Sequence, residues 1–294
     1  EDSEWEVREA AVETLGKLAA DALAPHAAAV VAMLENSDRR VRTAAVETLG
    51  KLAADALASH AAAVVAKLEH SVTGVRRSAV QTLGKLAADA LAPHSAAVVA
   101  KLEDTEGVVR SAAVETLGLL PADALASHAA AVLAKLEDAE GYVRQAAVQT
   151  LGKLAADVLA SHAAAMVAKL EDSSEDVRQA VVETLGKLEL AELTKYKEAL
   201  QKLAEQDAEA VVQVTAHVVL HKIEPTAGHI ETILSRLEDS LWSVRLDAVR
   251  ALGKLEPAEL ANYAKALQKR ANEDTDSDVR DAATEALAQL QASK

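Results

Sequence analysis

Apolar residues recur along the chain at helical spacing, with charged residues on the opposite side. In the segment VREAAVETLGKL, the apolar side is formed by Val7, Ala11, Leu15 and Leu18, and the charged side carries Glu9, Glu13 and Lys17. Positions three and four residues apart share one face of a helix, so this pattern predicts an amphipathic helix of about three turns.

The same segment returns along the chain with a fixed period. Its arginine falls every 34 residues at Arg8, Arg42, Arg76, Arg110, Arg144 and Arg178. The next slot holds Val212, and the pattern resumes at Arg245 and Arg280 with single-residue insertions and deletions. A period of this length is typical of a repeat protein built from one supersecondary unit.

Each period contains a further helical pattern, HAAAVVAKLE, ahead of the segment that carries the arginine. Val64, Val65 and Leu68 form its apolar stripe, and Ser59 or Pro25 is a start signal. Strand signals are missing, so the fold is predicted to be all-α. One such hairpin cannot bury its own apolar stripe. Stacked antiparallel helix pairs are therefore expected to form an α-solenoid, an elongated superhelix.

Composition excludes several classes of function. The chain has no Cys and 2% aromatic residues, and its 46 acidic residues against 31 basic ones give a net charge of −15. Disulfides and thiolate metal sites are impossible, and an acidic chain with few aromatic rings is unsuited to nucleic acid or to anionic membranes. Every apolar run is too short to span a bilayer. A cytoplasmic location is expected, although the chain begins at Glu1 rather than Met and organellar import stays open.

The segment between the two helices resembles that of a known repeat family. The Asp-(x)5-Arg spacing of LEDTEGVVR, followed by AAVETLGKL, is similar to the HEAT repeat, in particular its short, phycobilisome-lyase-like subclass. The resemblance covers nearly the whole chain and implies an Asp–Arg ladder between successive repeats, with the second helices on the concave surface. Asn36 and His70 replace the Asp and Val212 replaces the Arg, so interruptions are expected there. The tetratricopeptide repeat shares the period, but its aromatic landmarks are not found.

Candidate catalytic chemistry is weak in this sequence. A histidine recurs once per repeat at His26, His60, His94, His128 and His162, with His229 in a shifted slot. Repeats stack about 10 Å apart, so these imidazoles should not converge on one metal ion, and a packing role near the first helix is expected. Tyr196 and Tyr263 hold the same place, which also favours a role in shape. Protonation of all nine histidines would move the net charge from −15 to −6, which leaves pH sensing as a hypothesis.

Other repeated polar residues have structural interpretations. Each Arg has an acidic or polar residue six positions earlier as its expected partner, and the repeated Thr is expected to return its hydroxyl to an earlier carbonyl. The repeated Gly is expected to permit close approach of a neighbouring helix or to mark a helix end. His-Glu dipeptides, the iron ligands of the HEAT-like deoxyhypusine hydroxylases, are absent from the sequence. No catalytic, cofactor or metal residue is therefore predicted.

The positions that vary between repeats are the candidates for partner binding. The large rings in the links are Trp5, Tyr142 and Trp242, and aromatic residues are favoured as anchors in interfaces. The charged face of the second helices adds Glu9, Glu13, Lys17, Glu47, Lys51, Glu183 and Lys187. Three Glu–Lys couples in this set are spaced i,i+4, which is typical of a solvated face.

These observations favour a non-catalytic scaffold or adaptor that spans 1–294 as one solenoid, regular over 1–188 and diverged over 189–294. Its acidity favours a basic protein partner. Two alternatives stay open: an enzyme or assembly factor resembling the phycobilin lyases, and a structural protein that self-associates through its N-terminal end. Consensus design would also produce near-identical inner repeats, although the irregular C-terminal third favours natural duplication.

Overall fold

Every regular element in the computed structural model, which describes residues 4–292, is helical. The prediction of an all-α solenoid of stacked helix pairs is confirmed. The chain divides into two compact units, Glu1–Ala155 and Ala156–Lys294. We describe each unit by itself, and the prediction of a single domain over the whole chain stays a prediction.

The first unit contains five second-type helices separated by broken first-type helices within residues 4–155. In chain order its α-helices are α1 (Trp5–Leu15), α2 (Ala20–Leu23), α3 (Ala27–Ala32), α4 (Arg39–Leu49), α5 (Ala54–Ala58), α6 (Ala61–Val65), α7 (Thr73–Leu83), α8 (Ala88–Leu91), α9 (Ser95–Ala100), α10 (Gly107–Leu117), α11 (Ala122–Ala126), α12 (Ala129–Ala134) and α13 (Gly141–Leu151). Helices α1, α4, α7, α10 and α13 are the second helices, and each packs against the next.

The second unit follows the same plan with longer elements. Its α-helices are α14 (Ala156–Val167), α15 (Glu175–Leu185), α16 (Leu190–Leu193), α17 (Lys197–Gln206), α18 (Ala210–Ile223), α19 (Ala227–Arg236), α20 (Trp242–Leu252), α21 (Pro257–Leu260), α22 (Ala264–Glu273) and α23 (Ser277–Ala292). Here α15, α18, α20 and α23 are the second helices, and again each packs against the next.

The predicted apolar stripe forms the core of the inner repeats. Val41, Ala45 and Leu49 of α4 are fully buried, as the spacing predicts. Helix α1 forms as predicted, but its stripe is not covered: Val7 is 49% exposed, and Leu18, just beyond the helix, is 39% exposed. No first helix precedes α1 among the described residues, so its stripe lacks the surface that covers the inner copies.

The first helices begin earlier than predicted and are broken in the middle. Helix α2 begins at Ala20 and α5 at Ala54, each with an Asp in its first turn, where the helix dipole favours a negative charge. Pro25 lies inside a 3₁₀ turn between α2 and α3. The Ser59 hydroxyl donates to Ala56 O at 2.7 Å at the end of α5, so Ser59 is not a start signal.

The repeated histidine marks this break, which supports the predicted role in shape. His26, His60 and His94 all have φ near −100° and ψ near 0°, the bridge region between helix and extended backbone. Tyr196 and Tyr263 adopt the same conformation at the same place. Two of the described first helices that carry this histidine run without a break: α14, which contains His162, and α19, which contains His229.

Arginine and aspartate side chains join successive repeats, as the family resemblance implies. Bidentate pairs include Arg76–Asp104, Arg110–Asp138, Arg178–Asp207 and Arg245–Asp274, all with distances between 2.7 and 2.9 Å. The residue six positions before each Arg contributes its backbone carbonyl, as in the bond from Arg110 Nη1 to Asp104 O at 2.9 Å. The prediction that its side chain pairs with the Arg of the same repeat is therefore wrong.

The ladder is interrupted at His70, as predicted, but not at Val212. Gln213, not Val212, takes the arginine position, because its amide donates to Asp207 O, six residues earlier, at 2.7 Å. The Gln213 carbonyl accepts from Arg236 Nη2 at 2.9 Å, and Arg236 lies 3.8 Å from Asp239 of the next repeat. A relay through the neutral Gln213 and the cationic Arg236 thus replaces the missing ion pair. Single-residue insertions and deletions had hidden this register in the sequence.

The repeated Gly and Thr face one another across the second helices. A Cβ atom added to Gly16 would lie 2.8 Å from Thr48 Oγ1, and Gly16 has ordinary helical dihedrals, so close approach is the reason for the glycine. Thr48 Oγ1 donates to Val12 O of the preceding repeat at 3.1 Å. Only some hydroxyls, such as that of Thr82, return to their own helix as predicted.

Candidate protein-binding surfaces

The second helices of the second unit line an open groove of about 770 Å³. Side chains from α15, α18, α20 and α23 form its wall, so four successive repeats contribute to one surface. We call this surface the acidic groove. Its charged lining residues are Glu183, Asp247, Asp278, Asp281 and Glu285 against Arg250 and Lys254. Carboxylates therefore outnumber cations, and the groove favours a positively charged ligand.

Asp247 is the most buried carboxylate of the acidic groove. It stands two residues after Arg245, where the regular repeats carry a small residue, as at Ala112, Ala146 and Ala180. Burial raises the pKa of Asp247, and the nearby Arg250 and Lys254 only partly oppose this rise. Within residues 4–292 no hydrogen bond to its carboxylate is found. A cation that approaches a half-buried carboxylate without a hydrogen-bond donor stabilises its charged form.

An ion pair crosses the acidic groove. Lys254 Nζ, beyond the end of α20, lies 2.7 Å from Glu183 Oε1 on α15, so the pair reaches over the intervening α18. The sequence pattern predicted that Glu183 pairs with Lys187, four residues later, but the structure pairs Glu183 with Lys254. Lys187 is exposed and lines a neighbouring cavity.

The first unit has a comparable groove with a different charge balance. Its volume is about 460 Å³, and its charged lining residues are Glu47, Glu115, Lys85 and Lys153. Glu47 is exposed there, whereas Lys51 Nζ donates to Gly16 O of the preceding repeat at 3.0 Å. The i,i+4 pairing of Glu47 with Lys51 is thus replaced by a contact between repeats.

The predicted aromatic anchors differ in exposure. The Arg40 guanidinium lies 3.2 Å above the Trp5 ring, so this half-buried ring already has a cation–π partner. Tyr142 is 43% exposed, and Trp242 is 47% exposed beside Leu241, which is 61% exposed. Trp242 and Leu241 therefore form an exposed apolar pair at the start of α20.

The remaining predicted residues lie on α1 or just after it. Glu13 and Lys17 are exposed and Glu9 is half-buried. None of these three residues lines the acidic groove. The sequence analysis did not single out Asp247, Asp278, Asp281 and Glu285. One sign was available for Asp247: the position two residues after the repeated Arg holds a small residue in the regular repeats and an Asp here.

Three histidines converge in the second unit, a cluster that the repeat pattern did not predict. His217 Nδ1 lies 3.1 Å from His229 Nδ1, and the His221 and His229 rings are 6.5 Å apart. Burial lowers the pKa of His217 and of His229, and the neighbouring imidazole lowers each further. Among residues 4–292 no group of three or more side chains is arranged to hold a metal ion, and no helix there is long and apolar enough to cross a membrane.

Comparison with known families agrees with this architecture. Residues 129–220 and 197–288 match the family described as HEAT repeats, and residues 5–52 match the description of a HEAT-like repeat. These matches cover more than half of the chain, which therefore belongs to the HEAT-repeat family. A search of curated proteins gave no match.

Solved structures that share the fold come from proteins with different roles. The CpcE–CpcF complex of phycocyanin lyase from Nostoc sp. PCC7120 is 21% identical with a TM-score of 0.52, over 78% of this chain and 94% of that one. Kap121p bound to the SUMO protease Ulp1p is 15% identical with a TM-score of 0.66, over 99% of this chain and 38% of that one. YibA from Escherichia coli is 15% identical with a TM-score of 0.55, over 98% of both chains. At these identities the likeness shows the fold alone, and this chain spans well under half of Kap121p.

Proposed function

We propose that this HEAT-repeat protein is a non-catalytic scaffold whose acidic groove binds a basic segment of a partner protein. The observation that carries the proposal is the half-buried Asp247 carboxylate, for which the described part of the chain supplies no hydrogen bond, in a groove where carboxylates outnumber cations. A Lys or Arg side chain entering the groove would supply the missing charge-assisted hydrogen bond. The net charge of −15 would attract such a segment over longer distances.

The shape of the groove supports a peptide as the ligand. Four second helices contribute side chains to one continuous wall, and stacked repeats commonly use such extended surfaces for binding. Kap121p, which shares the fold, is itself bound to a protein, the SUMO protease Ulp1p. The exposed Trp242 and the other predicted contact residues outside the groove are not needed for binding of this segment.

A peptide-binding measurement tests the proposal. The probe is a short fluorescein-labelled peptide rich in Lys and Arg, with a Glu-rich peptide of the same length as its control, followed by fluorescence anisotropy. We expect binding of the basic peptide only, weaker as salt rises because the groove is solvated. The double variant Asp278→Asn with Asp281→Asn should lower its affinity about tenfold, or about 1.4 kcal/mol.

A matched variant separates the groove from the overall acidity. Glu205 is an exposed carboxylate on α17, outside the residues that line the groove. Glu205→Gln should leave the affinity unchanged. Equal binding of the basic and acidic peptides, or equal losses in Glu205→Gln and in the groove variant, would overturn the proposal.

A further inference from the structure

A second cavity adjoins the acidic groove and has a different chemistry. Its volume is about 520 Å³, and it shares Glu183, Thr215, Val218 and Lys254 with the groove. The rest of its wall includes the apolar residues Val219, Pro225 and Leu255. We call it the His221 cavity, after the buried histidine in its wall. Cavities of about 300–1,000 Å³ with an apolar lining and a few polar groups are typical binding sites.

The His221 cavity lies where the repeat pattern changes. Gly186 stands eight residues after Arg178, and His221 stands eight residues after Gln213, so His221 occupies the glycine position of its repeat. Helix α18 accordingly continues to Ile223, whereas α15 ends at Leu185, before the glycine. The replacement of glycine by His221 places a large side chain at a position where the regular repeats have no side chain.

Two contacts hold the His221 ring in place. His221 Nε2 lies 2.6 Å from Glu259 Oε1 and Nδ1 lies 3.2 Å from Thr226 O. A ring held from both nitrogens makes a rigid wall, so the cavity is formed before any ligand arrives. Preformed apolar pockets of this kind receive the anchor side chains that dominate many interfaces.

The two sites together define one composite surface. The Glu183–Lys254 ion pair lies on the wall common to both, with the acidic groove on one side and the apolar His221 cavity on the other. We propose that the partner segment has two parts: basic residues that occupy the acidic groove, and an adjacent large apolar side chain that enters the His221 cavity. This inference rests on the proposed function and adds the chemical character of the partner.

A comparison of peptides tests it on the intact chain. One Lys- and Arg-rich peptide carries Phe at each end, and its control carries Ala at the same positions. We expect the Phe peptide to bind about fivefold more tightly, since an anchor in a pocket commonly contributes about 1 kcal/mol. The difference should disappear in Leu255→Gln and in Pro225→Gln, two neutral substitutions in the wall of the His221 cavity at residues that do not line the acidic groove.

The Pro225 variant guards against a folding artefact, because Leu255 also packs against the core. Pro225 is exposed, so its substitution leaves the core intact, and binding of the Ala peptide should be unchanged in both variants. Equal binding of the two peptides to the unmodified chain would overturn the inference and leave the proposed function standing. A preference for Phe that persists in both variants would place the anchor elsewhere and also overturn it. If neither peptide binds, the proposed function fails as well.

Discussion

Arg76 and Asp104 belong to successive repeats, and two parallel hydrogen bonds of 2.7 Å join the guanidinium to the carboxylate. Arg76 Nη1 also donates to His70 O at 3.0 Å, in the link of its own repeat. Asp104 Oδ1 accepts from Glu106 N at 3.1 Å and so closes the turn before α10. One ion pair therefore fixes the link of one repeat against the link of the next. Burial raises the pKa of Asp104, but the hydrogen bonds from Arg76 and Glu106 outweigh it and leave this pKa below its usual value.

Removal of the most buried guanidinium should destabilise the second unit strongly. Arg245 and Asp274 are the least exposed pair among the ladder pairs described, at 9% and 1% of their side chains. Arg245→Ala leaves the Asp274 carboxylate buried with only Arg270, at 3.3 Å, as a cation. We expect a loss of about 3 kcal/mol in the free energy of unfolding, measured by urea denaturation.

An exposed pair provides the control for that measurement. Lys202 and Glu171 also join successive repeats, at 2.7 Å, but their side chains are 61% and 78% exposed. Lys202→Ala should cost less than about 1 kcal/mol, because solvent screens the pair. Equal losses in Arg245→Ala and Lys202→Ala would show that burial does not set the strength of the ladder.

Restoration of the missing ladder pair should stabilise the first unit. Arg42 Nη1 donates to Asn36 O at 2.6 Å and to Ser37 O at 2.9 Å, as in the complete pairs, but its buried Nε has no hydrogen-bond partner. Burial lowers the pKa of Arg42. His70 stands where the other repeats, except that of Asn36, carry Asp. His70→Asp should therefore raise the free energy of unfolding by about 2 kcal/mol in urea denaturation, the range of a charge-assisted hydrogen bond.

A neutral substitution isolates the ion pair from the turn. His70 Nδ1 accepts from Val72 N at 3.0 Å, and Asn would preserve that acceptor without adding a charge. His70→Asn should thus leave stability nearly unchanged. A gain in His70→Asn equal to that in His70→Asp would assign the effect to the turn and refute the restored pair.

The sequence predicted the stack better than the site. Arg76 and Asp104 are part of a strict period, so their ladder followed from the resemblance. Gln213 was missed because indels shift the register by one residue, and a period count cannot place an insertion inside a link. Asp247 was missed for another reason. Its place in a column of small residues was a signal, but the burial of its carboxylate depends on the packing of α18 and α23, which the sequence does not show.

The glycine columns offer a matched pair of substitutions. A Cβ atom at Gly16 would lie 2.8 Å from Thr48 Oγ1, whereas at Gly253 the nearest atom would lie 3.5 Å away. Gly16→Ala should destabilise the first unit, because Thr48 must give up its bond to Val12 O. Gly253→Ala should be neutral or stabilise by up to about 1 kcal/mol, since Ala restricts the unfolded chain more than Gly does. Thermal unfolding of both variants measures the contrast, and a similar destabilisation in both would refute the close-approach explanation.

Stability should fall as pH drops below the usual histidine range. Because the Nδ1 atoms of His217 and His229 are 3.1 Å apart, at least one of the two rings must be neutral there. Burial lowers the pKa of both below 6.5, so the unfolded chain binds protons at a higher pH than the folded chain does. The titratable and charged groups around the pair are His221 beside Glu259, Glu224 beside Lys197, and Arg236.

The stability contributed by these neutral rings is complete above about pH 6.5 and is lost as pH falls through the folded-state pKa values. Urea denaturation at about pH 7.5 and about pH 5.5 should show this decline in the chain and a smaller one in His217→Gln. His26→Gln, an exposed member of the repeated row, should keep the full decline. The ladder carboxylates do not contribute to a decline between about pH 7.5 and about pH 5.5, because their pKa values are lowered from 3.8 and they stay charged over this range. An identical pH dependence in His217→Gln and the unmodified chain would exclude the His217–His229 contact as its cause.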